Sequence, residues 1–409
     1  IPARKRIKMA KTKVLICGIL PPPNFGHSMI YKALMESRFV EELDVVFFNM
    51  KFWSYEKHKK ITVRKLLQMI AYYARFLGLI FSRRPRYILY AMSFDKMPFL
   101  KDFLFCMTGW ALGRKIVIHD MGQYLRELYD SSSRLYRGLI RFFMRRVTAG
   151  IVLGEAPRRV YAGFLDLDRV IAVPGAVADS APRSPRISSP RNNGTINVLY
   201  FSFLSRSKGI GTALKAIPKV VRTNSRVRFT IAGPVESENL LKEMNQFLDQ
   251  EDLRSFVNYV GYVGDDDQRT GYFRDADIFI FPTHRDVFGL VLLHAMAEGV
   301  AVVASREGAI PEIIVDGENG YLFSKGDESG LSEKILALAD QPETRQVMGQ
   351  KNRAKYLELY TLDRYAKRMI QAFKNIEAMG GPAFRTQASK RTLNPEPLNT
   401  TSTASIFIF

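Results

Sequence analysis

Short β-rich apolar runs alternate with stretches of helical period along most of this chain, which is the sequence habit of parallel α/β sheets. A first series of runs falls at 13–19, 44–48, 87–90, 115–119, 149–153 and 170–173, with helical patterns in most of the gaps. A second begins at 196–201 and continues at 228–232, 257–260, 278–281, 301–304 and 320–323. Within it, helices are expected at 210–221, 238–248, 291–298, 330–340 and 362–379. Between the two series, ADSAPRSPRISSPRNNGT at 178–195 is rich in Pro, Ser, Arg and Asn and reads as a linker. The expected architecture is α/β: two doubly wound domains, 13–177 and 196–378, facing a central cleft at the carboxyl ends of both sheets. The last helix is free to cross back to the N-terminal domain. Beyond it, 380–409 turns polar and Pro/Thr-rich, the composition of a disordered tail.

The length, 409 residues, suits two domains better than one core. Cys17 and Cys106 sit inside apolar runs, as buried thiols in a reducing compartment do. Charge changes the picture more. The formal net charge is +20; residues 1–200 hold 34 Lys and Arg against 14 Asp and Glu, whereas 201–409 hold 26 of each. The whole excess lies on one half, which implies a polyanionic partner: an anionic membrane surface, a nucleic acid or an acidic polymer. The apolar stretch 66–81 is short and interrupted by Gln68 and Arg75, so a buried or half-buried helix is favoured over a membrane span. No signal peptide is expected at the start.

The most informative stretch lies in the second domain. FPTHRDVFGLVLLHAMAEG at 281–299 runs from a strand end through a loop at 286–289 into a helix. Free amides and the positive end of the dipole at that helix start suit a diphosphate, and Gly289 lets the backbone approach closely. The chain continues as AVVASREGAIPEIIVDGENGYLF at 301–323. Phe288-Gly289, Ala295-Met296-Ala297, Gly299, Val302 to Ser305, Pro311-Glu312-Ile313 and Asp316-Gly317-x-Asn319-Gly320 together resemble the signature region of the retaining glycosyltransferases of family 4. Ala232-Gly233-Pro234, Gly261-Tyr262-Val263 and Ala276-Asp277 agree with it. The resemblance covers roughly 13–378 and is strongest after 196. It implies two Rossmann-like domains in the glycosyltransferase B fold, a nucleotide-sugar donor on the second domain and an acceptor on the first. It also implies retention of anomeric configuration through an oxocarbenium-like transition state, with no metal and no other cofactor.

The family places two glutamates with seven residues between them; the first contacts the donor sugar and the second holds the ribose hydroxyls. Here those positions are Asp286 and His294. Asp286 keeps the charge on a side chain one methylene shorter. His294 either bonds a ribose hydroxyl through its imidazole or is a structural histidine in a chain with impaired donor binding. Lys208, in FSFLSRSKG at 201–209, matches the lysine expected to neutralise the diphosphate. The usual upstream arginine falls at Ser202 or Phe203 and is absent; Arg206 either substitutes for it or is a solvated surface residue. In the first domain, GILPPPNFGH at 18–27 resembles the family's proline-rich loop ending in two glycines, whose backbone approaches the donor phosphates. Gly26 matches there and His27 replaces the second glycine. The strand at 115–118 runs into His119-Asp120, like the family's histidine that faces the donor sugar. The resemblance thus implies His119 and Asp286 as catalytic residues, and Gly26, Arg206, Lys208, Phe288, Gly289, Leu290 and His294 as donor-binding ones. His58 and His284 read as surface residues. Asp265, Asp266 and Asp267 precede a helical stretch, so N-terminal capping explains them better than a metal.

RLYRGLIRFFMRR at 134–146 places Arg134, Arg137, Arg141 and Arg145 on one helical face and Leu135, Leu139, Phe142 and Phe143 on another. Such a helix lies in an anionic membrane surface or packs with a solvated basic face, and the one-sided charge favours the membrane. The leading expectation is a cytoplasmic glycosyltransferase, peripheral on the inner face of the membrane, moving a sugar to a lipid-linked or surface-polysaccharide acceptor. A non-catalytic relative is the second reading. A nucleic-acid-binding protein is the third, motivated by charge alone and supported by no recognised module.

Overall fold

The computed structural model describes residues 11–22, 26–51, 63–122, 124–179 and 194–379. His58, most of the expected linker and the expected tail lie outside the described residues. The first sheet is built from β1 (Lys13–Gly18), β2 (Asp44–Asn49), β3 (Tyr87–Met92), β4 (Lys115–Asp120), β5 (Val147–Val152) and β6 (Val170–Ala172), in the order β2-β1-β3-β4-β5-β6. The second contains β7 (Ile196–Phe201), β8 (Val227–Ala232), β9 (Val257–Gly261), β10 (Ile278–Phe281), β11 (Ala301–Ser305) and β12 (Gly320–Phe323), in the order β12-β11-β10-β7-β8-β9. Every pairing is parallel. Strand order reverses between β1 and β3 and between β7 and β10, and a ligand crevice opens at the carboxyl ends of such switch points. The α/β fold class read from the run pattern is the one observed. In the second domain the expected helices omit the single turn Ile310–Ile313 and the longer Pro342–Leu359, a mostly polar helix that turns only Met348, Gly349, Asn352 and Tyr356 inward, too thin a stripe to read as a period.

Phe76, Phe99, Phe105, Ile140 and Phe143 fill one side of the first sheet. The other side forms a single apolar cluster with the second domain and with the helix Leu362–Met379. Phe373 of that helix packs edge-on against Phe39 and Tyr87, with centroids 5.7 and 5.9 Å apart, so the last helix lies on the first domain. Where the chain passes between domains, the Val177 amide donates to the Tyr360 carbonyl at 3.3 Å. Beside it the Tyr356 hydroxyl donates to the Val177 carbonyl at 3.0 Å. Arg353 grips Asp179 through two bonds of 2.6 and 2.9 Å, the bidentate form that holds geometry best.

The apolar stretch 66–81 lies within the helix Val63–Arg83, whose Phe76 and Ile80 are buried. No helix among the described residues is long and apolar enough to cross a membrane. Cys17 and Cys106 are buried free thiols.

The helix Arg134–Met144 departs from its expected faces. It buries Ile140, Phe143 and Met144, while Leu135 is 87% exposed and Phe142 is exposed as well. Nor is its basic face wholly solvated. Arg137 donates to the carbonyls of Tyr129 and Asp130 at 2.9 and 2.6 Å, the electronegative end of the helix Leu125–Asp130. Arg137 and Arg141 both lie over the Tyr129 ring.

Candidate active site

After β7 the chain makes the short turn Arg206–Lys208, where the Ser205 hydroxyl accepts from the Lys208 amide at 3.2 Å. Gly209 follows with φ of +74°, and a Cβ there would stand 1.7 Å from the Pro282 carbonyl oxygen. Only glycine lets this turn lie directly on the loop that follows β10. The contact brings Lys208 to Asp286: Nζ lies 2.6 Å from Oδ2 and 3.3 Å from the Arg285 carbonyl. The other oxygen of Asp286, Oδ1, accepts from the amides of Phe288 and Gly289 at 3.0 and 2.6 Å. Both carboxylate oxygens are therefore engaged, and the shorter side chain is folded back on its own loop. Gly289, at φ of +78°, then turns the chain into the helix Leu290–Ala297. Amides in the first turn of a helix have no carbonyl behind them to bond.

On the first domain, His119 ends β4 fully buried. Its Nδ1 lies 3.0 Å from the hydroxyl of Tyr31, which stands on the helix Gly26–Met35, and the two rings meet edge to face. Its Nε2 is buried without a hydrogen-bond partner. Burial, then the neighbouring His27, push the His119 pKa down to about 3, so the imidazole is neutral near pH 7. His27 itself keeps solvent contact, but the crowded cleft wall lowers its pKa by desolvation; Asp286 and Lys208 of the other domain are close enough to act on it. Asp120 accepts from the Tyr161 hydroxyl at 2.7 Å and from the Gly122 amide at 2.8 Å, which fixes the loop after β4.

Leu290 joins the two walls. A Cβ on Gly26 would lie 2.8 Å from one of its methyls, and a Cβ on Gly175 2.6 Å from the other. The starts of the helices Gly26–Met35 and Leu290–Ala297 thus meet across the cleft, and two positive helix ends converge beside Lys208. Two further ties close the rim. Glu312 accepts from the amides of Glu155 and Ala156 at 2.9 and 2.6 Å, capping a helix of the opposite domain. Arg285 pairs with Glu127 at 2.5 Å and lies over the Tyr124 ring.

Gly26, Lys208, Asp286, Phe288, Gly289 and Leu290 therefore assemble at one place, with His119 set in the wall beside them. Arg206 does not join them: its side chain is 78% exposed and pairs with Glu243 at 2.8 Å on the outer surface. His294 is half-buried and stacked on Phe273, with centroids 5.7 Å apart. Burial, then Arg269, lower its pKa to about 3, so it too is neutral. His284 is half-buried and bonded to Thr212 at 2.8 Å, not a free surface residue. Asp265 caps its helix by accepting from the Gln268 amide at 2.8 Å. The Asn319 side chain bonds the Val315 amide, the Ile313 carbonyl and Asn352, so this motif residue shapes a turn. Tyr31, Arg285 and Glu312 were not expected at the site. Tyr31 gives no local signal, standing 88 positions from His119; Arg285 and Glu312 lie in motif stretches but act across the domain boundary.

Residues 185–355 match the family described as Glycosyl transferases group 1. The chain is 27% identical over 205 residues to a phosphatidyl-myo-inositol mannosyltransferase of Mycobacterium leprae, which spans 50% of this chain and 53% of that protein. It is 26% identical over 162 residues to the capsular polysaccharide biosynthesis glycosyltransferase CapM of Staphylococcus aureus, 39% of this chain and 41% of that one. The chain thus matches about half the length of the curated relatives, or less. Among solved structures, HepE of Anabaena in complex with UDP superposes with a TM-score of 0.68 over 89% of this chain and 100% of that one, at 15% identity. With two parallel six-stranded α/β domains, the chain has the glycosyltransferase B fold, and its second domain is the part that matches the group 1 glycosyltransferases.

Proposed function

We propose that the chain transfers a hexosyl-type sugar, with retention of configuration and without a metal, from a nucleoside-diphosphate sugar in the cleft to a lipid-linked or polysaccharide acceptor at an anionic membrane surface. One observation carries this: two helix starts, Lys208 and Asp286 converge across the cleft beside the buried His119. Lys208 and the first-turn amides supply positive potential where a departing diphosphate gathers charge, which stabilises the step that breaks the sugar–phosphate bond. Asp286, with both oxygens engaged, is a poor covalent nucleophile and holds Lys208 and the loop in place. His119, neutral near pH 7, serves as a hydrogen-bond partner to the sugar and not as a proton donor. The donor class agrees with the UDP bound by HepE, and the acceptor class with the names of the mannosyltransferase and CapM.

Thermal shift against UDP-, GDP- and ADP-sugars tests the reading. A ligand at 100 times its Kd stabilises by about 2.7 kcal/mol, enough to raise the melting temperature visibly. One class of donor should do so, and release of free nucleotide should follow when acceptor lipid is added. Absence of any shift would favour the non-catalytic reading, in which donor binding has been lost.

A further inference from the structure

Three helices cover the outer side of the first sheet: Val63–Arg83, Lys96–Ala111 and Arg134–Met144. They lie side by side. Tyr73 packs edge-on against Phe105, with centroids 5.4 Å apart, and Phe103 meets Phe142 at 6.4 Å. Their inner faces fill the core, yet their outer faces are apolar too. Lys96–Ala111 turns Met97, Leu100, Leu104 and Trp110 outward, and the flanking helices add Leu67 and Ile70 on one side and Leu135 and Phe142 on the other. A helix that is apolar all round is ordinarily covered, and a continuous exposed patch of this kind marks a binding surface.

Charge identifies the occupant. The three helices contain nine Lys and Arg and one acidic residue, Asp102. Asp102 is buried, where it accepts from Tyr90 and from the Ser93 amide. An apolar face on helices that also expose Arg75, Arg83, Arg134 and Arg141, with Asp95 at the cap of Lys96–Ala111 as an exposed carboxylate beside it, is complementary to acyl chains beneath anionic headgroups. A second copy of the chain would bring two such cationic faces together. Arg146 lies over both Trp110 and Phe142, stacked on apolar rings where a headgroup phosphate would meet it.

We propose that this three-helix face seats in an anionic lipid leaflet, with Met97, Leu100, Leu104 and Trp110 reaching the acyl boundary. The helix Lys96–Ala111 directly follows β3, so its first turn lies at the carboxyl end of the sheet, the rim of the cleft. Met97 therefore stands where an acceptor lipid would leave the leaflet for the site, a role that rests on the glycosyl-transfer reading above. The lipid contact itself does not.

Partition into phosphatidylcholine vesicles with and without phosphatidylglycerol tests it, with Trp110 as the reporter in a chain carrying Trp53→Phe. Vesicles with phosphatidylglycerol should blue-shift Trp110 and expose it to quenching by brominated acyl chains; neutral vesicles should do neither. The pair Leu100→Gln and Leu104→Gln, both on the outer face, should weaken partition at least about tenfold while leaving donor titration by calorimetry unchanged. Equal binding to both vesicle types, or partition unaffected by the Gln pair, would overturn the proposal. So would a mass in solution twice that of one chain with Trp110 already shielded from iodide, which would make the face a dimer interface. Lipid binding without binding of any donor would leave this proposal standing and remove only the catalytic one.

Discussion

Burial of His119 makes the first domain acid-sensitive by an amount that can be worked out. In the unfolded chain the imidazole takes a proton near its ordinary pKa of 6.5, whereas the folded domain holds it neutral down to about 3. A histidine whose folded pKa is depressed costs nothing above 6.5 and withdraws stability as pH falls below it, because the unfolded state binds the extra proton. From pH 7 to pH 5, integrating the difference gives about 1.9 kcal/mol for this one group. His119→Asn removes the titration and keeps a polar atom near Nδ1 for the Tyr31 hydroxyl. Trp110 stands on the helix Lys96–Ala111 of the first domain, so in a chain carrying Trp53→Phe its fluorescence follows that domain's unfolding in urea. The native protein should lose about 1.9 kcal/mol more than the variant between pH 7 and pH 5, other groups cancelling in the comparison. Equal losses would mean that His119 reaches water or a proton in the folded state, and the argument for a neutral imidazole would fail.

Tyr31→Phe leaves Nδ1 of His119 buried and unpaired; turnover should fall about tenfold with little change in donor affinity, and a loss in affinity alone would deny Tyr31 a role in positioning the ring. Asp286→Asn weakens the hold on Lys208, and turnover measured by nucleotide release should drop at least about tenfold; an unchanged rate would remove both residues from the transfer step. Gly209→Ala drives a Cβ into the Pro282 carbonyl at positive φ and should destabilise the second domain by roughly 2 kcal/mol or more in a melting experiment. His294→Ala should weaken donor binding by about 1 kcal/mol in a calorimetric titration if the imidazole bonds the ribose; unaltered affinity would leave it only the packing role seen against Phe273.

The strands were legible because a parallel sheet buried on both faces writes uninterrupted apolar runs, and all twelve observed strands overlap the expected ones. The loop at 286–289 was legible as a strand-to-helix turn because its residues are contiguous and because Gly209 and Gly289 occupy backbone that only glycine takes easily. Contacts across the cleft were not. Tyr31 with His119, Arg285 with Glu127 and Glu312 with the Glu155 amide join segments far apart in sequence, and no local pattern encodes which tyrosine or carboxylate will meet which partner. Side-chain direction was equally hidden: Arg206 could have turned to the cleft or to Glu243, and only packing decided it. Helix periodicity located the amphipathic helix at 134–144 but not its rotation, since Leu and Phe occur on both of its sides.

The two chain passages between the domains lie side by side, with Val177 bonded to Tyr360 and Tyr356 and with Arg353 fastened to Asp179. Mechanically that is a pivot and not a tether. Two strands of polypeptide bonded together resist shear and twist, so the freedom left to the domains is a swing about this point. Glu312 stands beside this point, where Lys355 donates to its carbonyl at 3.2 Å and its carboxylate holds the Glu155 and Ala156 amides, while Arg285 and Glu127 add a second tie between the domains. The same joint therefore sets the alignment in which the two helix starts and Lys208 meet across the cleft.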